Sequence, residues 1–74
     1  MSKLIRMDHT GHSTLAEWTA DDRPAVDAAV RALREELERG YLATVTDGPG
    51  RAEQVHELPL DADLVILRLP IAGG

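Results

Sequence analysis

One segment of this chain has the periodicity of an amphipathic α-helix, and it divides the sequence into three parts. Its apolar side chains recur at i, i+4, i+7 and i+11, a spacing that places them on a single face of a helix. They are Val26, Val30, Leu33 and Leu37, with Ala29 beside them. The pattern predicts one helix over about residues 23–39, with an apolar face that must be covered by another element.

Residues with strong positional preferences mark both ends of this helix. Asp21 and Asp22 supply a candidate N-cap, and Pro24 suits the first turn, where its missing N–H is harmless. Arg39 lies in the predicted last turn, and Gly40 is a favourable stop after it. The charged positions between these ends predict the solvent-facing side of the helix: Arg31, Arg34, Glu35, Glu36 and Glu38.

The segment before the helix predicts a β-hairpin. Residues 3–8 are β-prone, residues 12–18 alternate loosely between polar and apolar side chains, and Thr10-Gly11 between them suits a tight turn. We therefore expect two antiparallel strands over 3–8 and 12–18, and glycine at position 11 allows a positive φ.

The segment after the helix predicts three more strands. Tyr41–Thr46 is rich in β-branched and aromatic residues, and a strong turn signal follows at residues 47–50. Residues 51–58 are polar and alternate poorly, which favours an edge strand, and residues 59–63 predict a second turn or a short helical loop. Leu64–Leu69 is almost continuously apolar and therefore predicts a central strand.

The predicted order ββαβββ defines a fold class. One helix packed on a mixed sheet of four to five strands gives a two-layer α+β domain. A central last strand beside the first would run parallel to it, which is the arrangement of the β-grasp fold. Pro70 cannot donate to a strand ladder, so we expect one domain over residues 1–70 and a flexible tail over 71–74.

Composition excludes several classes of function. The net charge is −5, and the 74 residues include one Trp, one Tyr and no Phe, which disfavours nucleic-acid binding. Without cysteine there is no disulfide, thiolate zinc site or thiol nucleophile. No apolar run approaches the roughly 20 residues of a membrane helix, and no secretory signal is apparent, so we expect a cytoplasmic protein that does not bind membranes. No catalytic constellation is visible, so we expect no enzyme activity.

Three segments make the chain resemble ubiquitin and its relatives. Ile5 to Trp18 resembles the ubiquitin opening hairpin, including Thr10-Gly11 at its turn. Leu64–Leu69 resembles the last strand of ubiquitin, and Gly73-Gly74 matches its C-terminal di-glycine. The resemblance implies a ubiquitin-like β-grasp protein, although between residues 19 and 63 it is one of pattern only.

Two departures from ubiquitin point to a bacterial ubiquitin-like protein. Pro70-Ile71-Ala72 replaces the basic approach to the di-glycine, and Lys3 is the only lysine. For such a protein the resemblance implies four partners: an E1-like adenylating enzyme, an E2-like transfer enzyme, a JAB-type or other deconjugating peptidase, and a target protein. With one lysine, we expect single attachment rather than branched chains.

The resemblance assigns the chemistry to the tail formed by Ile71, Ala72, Gly73 and Gly74. Gly74 is the expected site of activation, through an acyl adenylate, then a thioester and then an amide. Glycines lack side chains and adopt extended or positive-φ geometries freely, which suits a narrow enzyme channel. The catalytic groups and the ATP belong to partner enzymes, so this chain is expected to hold no cofactor of its own.

Other residues invite binding hypotheses. Asp8, His9 and His12 form a short cluster that His56 could join as a further zinc ligand. Zinc sites need three or four fixed ligands, and side chains that flank a turn need not converge, so we expect polar turn residues and no metal. Trp18 is either a core residue or a partly exposed interface anchor. In the last strand, either Val65, Leu67 and Leu69 or Leu64 and Ile66 must point away from the helix. The first set, with Trp18, is a candidate partner patch.

Two other functions fit the same sequence. One is a sulfur carrier, in which the Gly74 carboxylate becomes a thiocarboxylate that donates sulfur. The other is a non-covalent β-grasp binding module for which the tail has no role. An isopeptide adduct would indicate the modifier, and a gain of sulfur for oxygen would indicate the carrier.

Overall fold

A computed structural model describes residues 1–46 and 52–69 of the chain. Within these residues one helix and five strands follow the predicted order. They are β1 Ser2–Asp8, β2 Gly11–Trp18, α1 Arg23–Glu38, β3 Leu42–Thr46, β4 Ala52–Val55 and β5 Leu64–Arg68. The predicted turn at residues 47–50 and the predicted tail at 71–74 lie outside the described residues.

The five strands form one mixed sheet in the order β2-β1-β5-β3-β4. β5 is central, as its apolar sequence predicted: it runs parallel to β1 and antiparallel to β3. β4 lies at an edge, as predicted, but it is shorter than the segment 51–58. With α1 packed on one face, the domain is a small α+β fold of the β-grasp type, and the predicted fold class is confirmed.

A β-bulge explains the loose alternation in the second half of the hairpin. Leu4 pairs with Ala16 whereas Ile5 pairs with Thr14, so Leu15 is the extra residue in β2. Because a bulge interrupts the two-residue alternation, Leu15 and Ala16 both pack against the core although they are consecutive. The tight turn adopts the predicted geometry, with Gly11 at φ +120°.

Both ends of α1 are capped as the sequence predicted. The Asp22 carboxylate accepts a hydrogen bond of 3.2 Å from the Ala25 N–H. At the other end Gly40 has φ +98°, its N–H donates to the Leu37 carbonyl over 3.0 Å, and the Tyr41 N–H donates to the Glu36 carbonyl over 3.1 Å. These two bonds form a Schellman motif, which ends the helix and turns the chain into β3.

Replacing Gly40 by alanine is expected to lower the free energy of unfolding by about 1–2 kcal/mol, because a Cβ is disfavoured at positive φ. The space around Gly40 is open, so the cost comes from the backbone alone and not from a collision. We expect a fall in Tm of roughly 4–8 °C per kcal/mol for a domain of this size, measured by circular dichroism. Asparagine, which tolerates this region better, should cost less, and an unchanged Tm for Gly40→Ala would contradict the cap.

The core lies between α1 and the helix-facing side of the sheet. Its buried apolar side chains come from the helix and four of the five strands: Leu4, Trp18, Val26, Ala29, Leu33, Ala43, Val65 and Leu67. The predicted stripe of α1 supplies Val26 and Leu33 to this cluster, and Val30 and Leu37 pack against it. The prediction of the apolar helix face is therefore confirmed.

The assignment of Glu36 to the solvent-facing side of α1 was wrong. Its side chain is 6% exposed, and its carboxylate accepts a hydrogen bond of 2.9 Å from the Arg6 guanidinium in β1. Arg39 lies 3.5 Å from the same oxygen. Arg6 lies on the helix-facing side of β1, as Leu4 does two residues earlier. Its guanidinium therefore reaches from the sheet to α1 and compensates the charge of the Glu36 carboxylate at the edge of the core.

Candidate recognition surface

The structure separates the predicted functional residues into three groups. The tail residues Ile71, Ala72, Gly73 and Gly74 lie outside the described part of the chain. Trp18, Val65 and Leu67 lie in the core, and Leu69 lies on the surface. A surface patch made of this predicted set does not form.

The predicted patch is corrected by burial. Val65 and Leu67 are 0% exposed and Trp18 is 1% exposed, so none of them offers a side chain to a partner. The reason is the register of β5: Val65 is the neighbour of Leu4, and Leu67 that of Ala43, on the side of the sheet covered by α1. Of the two alternatives for Trp18, the core position is therefore the correct one. Of the two sets of side chains in β5, Leu64 and Ile66 are the ones that point away from the helix.

The opposite side of the sheet carries an apolar surface, which we call the open face. It consists of side chains from the three inner strands: Ile5, Met7, Leu42, Leu64 and Ile66. Met7, Leu42 and Leu64 are 37–38% exposed, and Ile5 and Ile66 are half-buried. Contiguous apolar surface of this kind is typical of protein interaction sites.

Strand register brings these side chains together from distant parts of the chain. Ile66 is the neighbour of Ile5 on one side and of Thr44 on the other. Arg68 lies between Met7 of β1 and Leu42 of β3 in the next row. Because paired residues in a sheet point to the same side, these two rows form one continuous surface.

Basic residues flank the open face although the chain is acidic overall. Arg68 lies in the row of Met7 and Leu42, and Lys3 is the neighbour of Leu64. Among the strand residues that the structure describes, Glu17, which pairs with Lys3 in β2, is the acidic residue on this side. An apolar centre between two cations favours a partner with apolar side chains and a negatively charged rim.

Leu69, which we call the tail root because it leads from β5 towards the predicted tail, lies at one end of the open face. Leu69 follows β5 and is 53% exposed, and it shares a shallow hollow with Met7, Asp8, His9 and Arg68. Hydrogen bonds from the Thr10 hydroxyl and backbone N–H lower the pKa of the Asp8 carboxyl below its ordinary range. The same two hydrogen bonds join Asp8 to Thr10 in the hairpin turn, next to Leu69 in the hollow.

The histidines do not converge on a metal site in the described residues. His12 lies in β2 opposite Met7, while His9 lies in the turn and His56 follows β4. Across residues 1–46 and 52–69 there is no group of three or more side chains arranged to hold a metal ion.

Sequence reasoning missed three residues of the open face, namely Ile5, Met7 and Leu42. A signal was present: Ile5 and Met7 occupy alternate positions of a strand whose other side carries Leu4 and Arg6. Apolar residues on both sides of a strand indicate that neither side faces only water. Only the pairing of β5 with β1 and β3 shows that Ile5, Met7 and Leu42 belong to one surface.

Within the described ranges, no helix is long and apolar enough to cross a membrane. The chain matches no protein-family model, no curated protein and no solved structure.

Proposed function

We propose that this chain is a ubiquitin-like modifier that is activated at Gly74 and attached to a target protein. The observation that carries the proposal is the β-grasp-type fold in a chain whose last strand leads towards Gly73-Gly74. In such a modifier the folded domain is recognised by partner enzymes and the tail supplies the reacting group. The chain itself catalyses nothing in this scheme.

The open face supports the proposal because it supplies a recognition surface next to the tail root. Met7 and Arg68 belong both to the open face and to the hollow that contains Leu69. An enzyme that docks on the open face would therefore contact the start of the tail without crossing the rest of the domain. The tail root follows directly from β5, which is hydrogen-bonded to a strand on each side, β1 and β3.

The proposed chemistry proceeds in three steps on the Gly74 carboxylate, freed by a peptidase if further residues follow it. An oxygen of the carboxylate attacks the α-phosphorus of ATP, and pyrophosphate leaves. A thiolate of the activating enzyme then attacks the acyl carbon and AMP leaves, which gives a thioester. Finally an amine of the target attacks the thioester, loses its proton and displaces the thiol, which yields an amide.

Intact mass spectrometry tests this proposal directly. The protein is incubated with ATP and the adenylating enzyme encoded nearest to its gene, and the masses of both proteins are recorded. We expect a Gly74 adenylate or a thioester with the enzyme, and complete loss of both when Gly74 is deleted. Arg23→Lys is the matched control, because it preserves charge at an exposed position of α1, away from the open face and the tail, and should leave activation unchanged.

Two outcomes would overturn the proposal. If the enzyme adenylates another acceptor and releases pyrophosphate, but the mass of this chain never changes, the tail is not the reacting group. If the product instead gains sulfur in place of oxygen, the chain is a sulfur carrier.

The variant Leu42→Ser tests the open face separately. It should raise the concentration of this protein that is needed for half-maximal activation by the enzyme, while leaving Gly74 intact.

A further inference from the structure

Met7 is a sulfur-containing side chain at the place where the open face meets the hollow beside the tail root. It is 38% exposed and lines the hollow, so small molecules in solution reach it. The sequence contains no cysteine, so thioethers are the only sulfur groups that an oxidant meets in this chain. Methionine thioethers are common targets of oxidation, and exposure favours their reaction. Met7 is therefore the oxidant-sensitive side chain of the open face.

Side chains with N–H donors lie on both sides of Met7 in the sheet. His12 is its neighbour in β2, and Arg68 is its neighbour in β5. Because paired residues point to the same side, both side chains share the open face with Met7. In the described ranges no carboxylate oxygen lies within 4.0 Å of the Arg68 guanidinium, and the Asp8 carboxylate in the same hollow accepts hydrogen bonds from Thr10. The guanidinium is therefore available to an acceptor that forms beside it.

We propose that Met7 is a site of reversible oxidation that switches the open face from an apolar to a polar surface. Hydrogen peroxide is the oxidant: its O–O bond breaks, a bond forms between one oxygen and the sulfur, and water leaves. The sulfur loses two electrons and the peroxide gains them. The product is a sulfoxide, whose oxygen accepts a hydrogen bond from the Arg68 guanidinium. Methionine sulfoxide reductases reverse the change.

Oxidation alters both properties that suit the open face to a partner. A polar oxygen replaces apolar surface in the row that Met7 shares with Leu42, and the bond to this oxygen engages the cation of Arg68. A partner with apolar side chains and a negatively charged rim therefore loses one contact of each kind. The consequence for activation rests on the proposed function: oxidised chain docks more weakly on the activating enzyme, although Gly74 is chemically unchanged.

Peroxide treatment of the full chain tests the modification itself. Acetylated methionine amide in the same solution is the reference, and peptide mapping by mass spectrometry gives the oxidation rate of Met7. Because Met7 is 38% exposed, we expect a rate within about tenfold of the reference. NMR of the oxidised, ¹⁵N-labelled chain should show shifts at the amides of His12, Leu42 and Arg68 and none along α1. Two reductases, one for each sulfoxide epimer, should restore the original mass and spectrum.

A dye measures the switch without any enzyme. Anilinonaphthalene sulfonate joins an apolar ring system to an anionic group, and its binding is followed through the amides of Ile5 and Ile66. Oxidation should weaken binding at least about fivefold, which corresponds to about 1 kcal/mol. Met7→Leu is the matched control, because it retains Met1 and lacks only the thioether of Met7. Its affinity for the dye should be the same before and after peroxide treatment.

Several results would overturn the proposal. They are oxidation of Met7 more than about tenfold slower than the reference, shifts that extend along α1, and no dye binding at the open face. Equal affinity of the oxidised and reduced chains, or an equal loss of affinity in Met7→Leu, would do the same. These measurements do not involve activation. If they give the expected results but neither form is activated at Gly74, the proposed function fails and the oxidation switch stands.

Discussion

Replacing Trp18 by alanine is expected to lower the free energy of unfolding by about 3–5 kcal/mol. The indole is 1% exposed at the end of β2, where it packs in the cluster that contains Leu4 and Leu33. A domain of 74 residues buries a small core, and typical domains are stable by about 5–15 kcal/mol in total. The variant should therefore be partly unfolded at room temperature, as measured by urea denaturation followed by far-UV circular dichroism.

Leu69→Ala is the matched control for this measurement. Leu69 was predicted to share a surface patch with Trp18, but it is 53% exposed and lies outside the core cluster. We expect its removal to change the free energy of unfolding by no more than about 0.5 kcal/mol. Equal effects of the two variants, or an unchanged denaturation midpoint for Trp18→Ala, would be incompatible with the core described here.

Breaking the ion pair between Arg6 and Glu36 should have the second large effect. Arg6→Met leaves a carboxylate that is 6% exposed, with Arg39 at 3.5 Å as its remaining cationic neighbour. Removing one partner of a buried pair costs roughly 3–5 kcal/mol, and we expect about 3 kcal/mol because the Arg6 side chain is 26% exposed and partly screened by water. Urea denaturation of the variant measures this difference.

A double-mutant cycle shows whether the cost comes from the uncompensated charge. The double variant Arg6→Met with Glu36→Leu removes both charges and should regain most of the stability lost by Arg6→Met alone. Arg39→Met is the control, because Arg39 is 63% exposed and its contribution should be no more than about 1 kcal/mol. Additive effects of the Arg6 and Glu36 substitutions would mean that the two side chains do not interact energetically.

The local elements of this protein could be predicted from its sequence because short-range rules determine them. The spacing from Val26 to Leu37 predicted α1, and Asp22 and Gly40 predicted its ends, since caps depend on backbone geometry within a few residues. Glycine at position 11 predicted the hairpin turn in the same way. The continuous apolar run of β5 predicted a central strand, and with it the order of the fold.

The surfaces of the protein were decided only by tertiary structure. Nothing in the sequence near Glu36 indicates that Arg6, thirty residues earlier, will meet its carboxylate. The side of the sheet that each residue of β5 faces depends on pairing with β1 and β3, and a shift of one residue would exchange Val65 and Leu67 for Leu64 and Ile66. Periodicity shows that a strand has two sides, but only long-range pairing determines which one the helix covers.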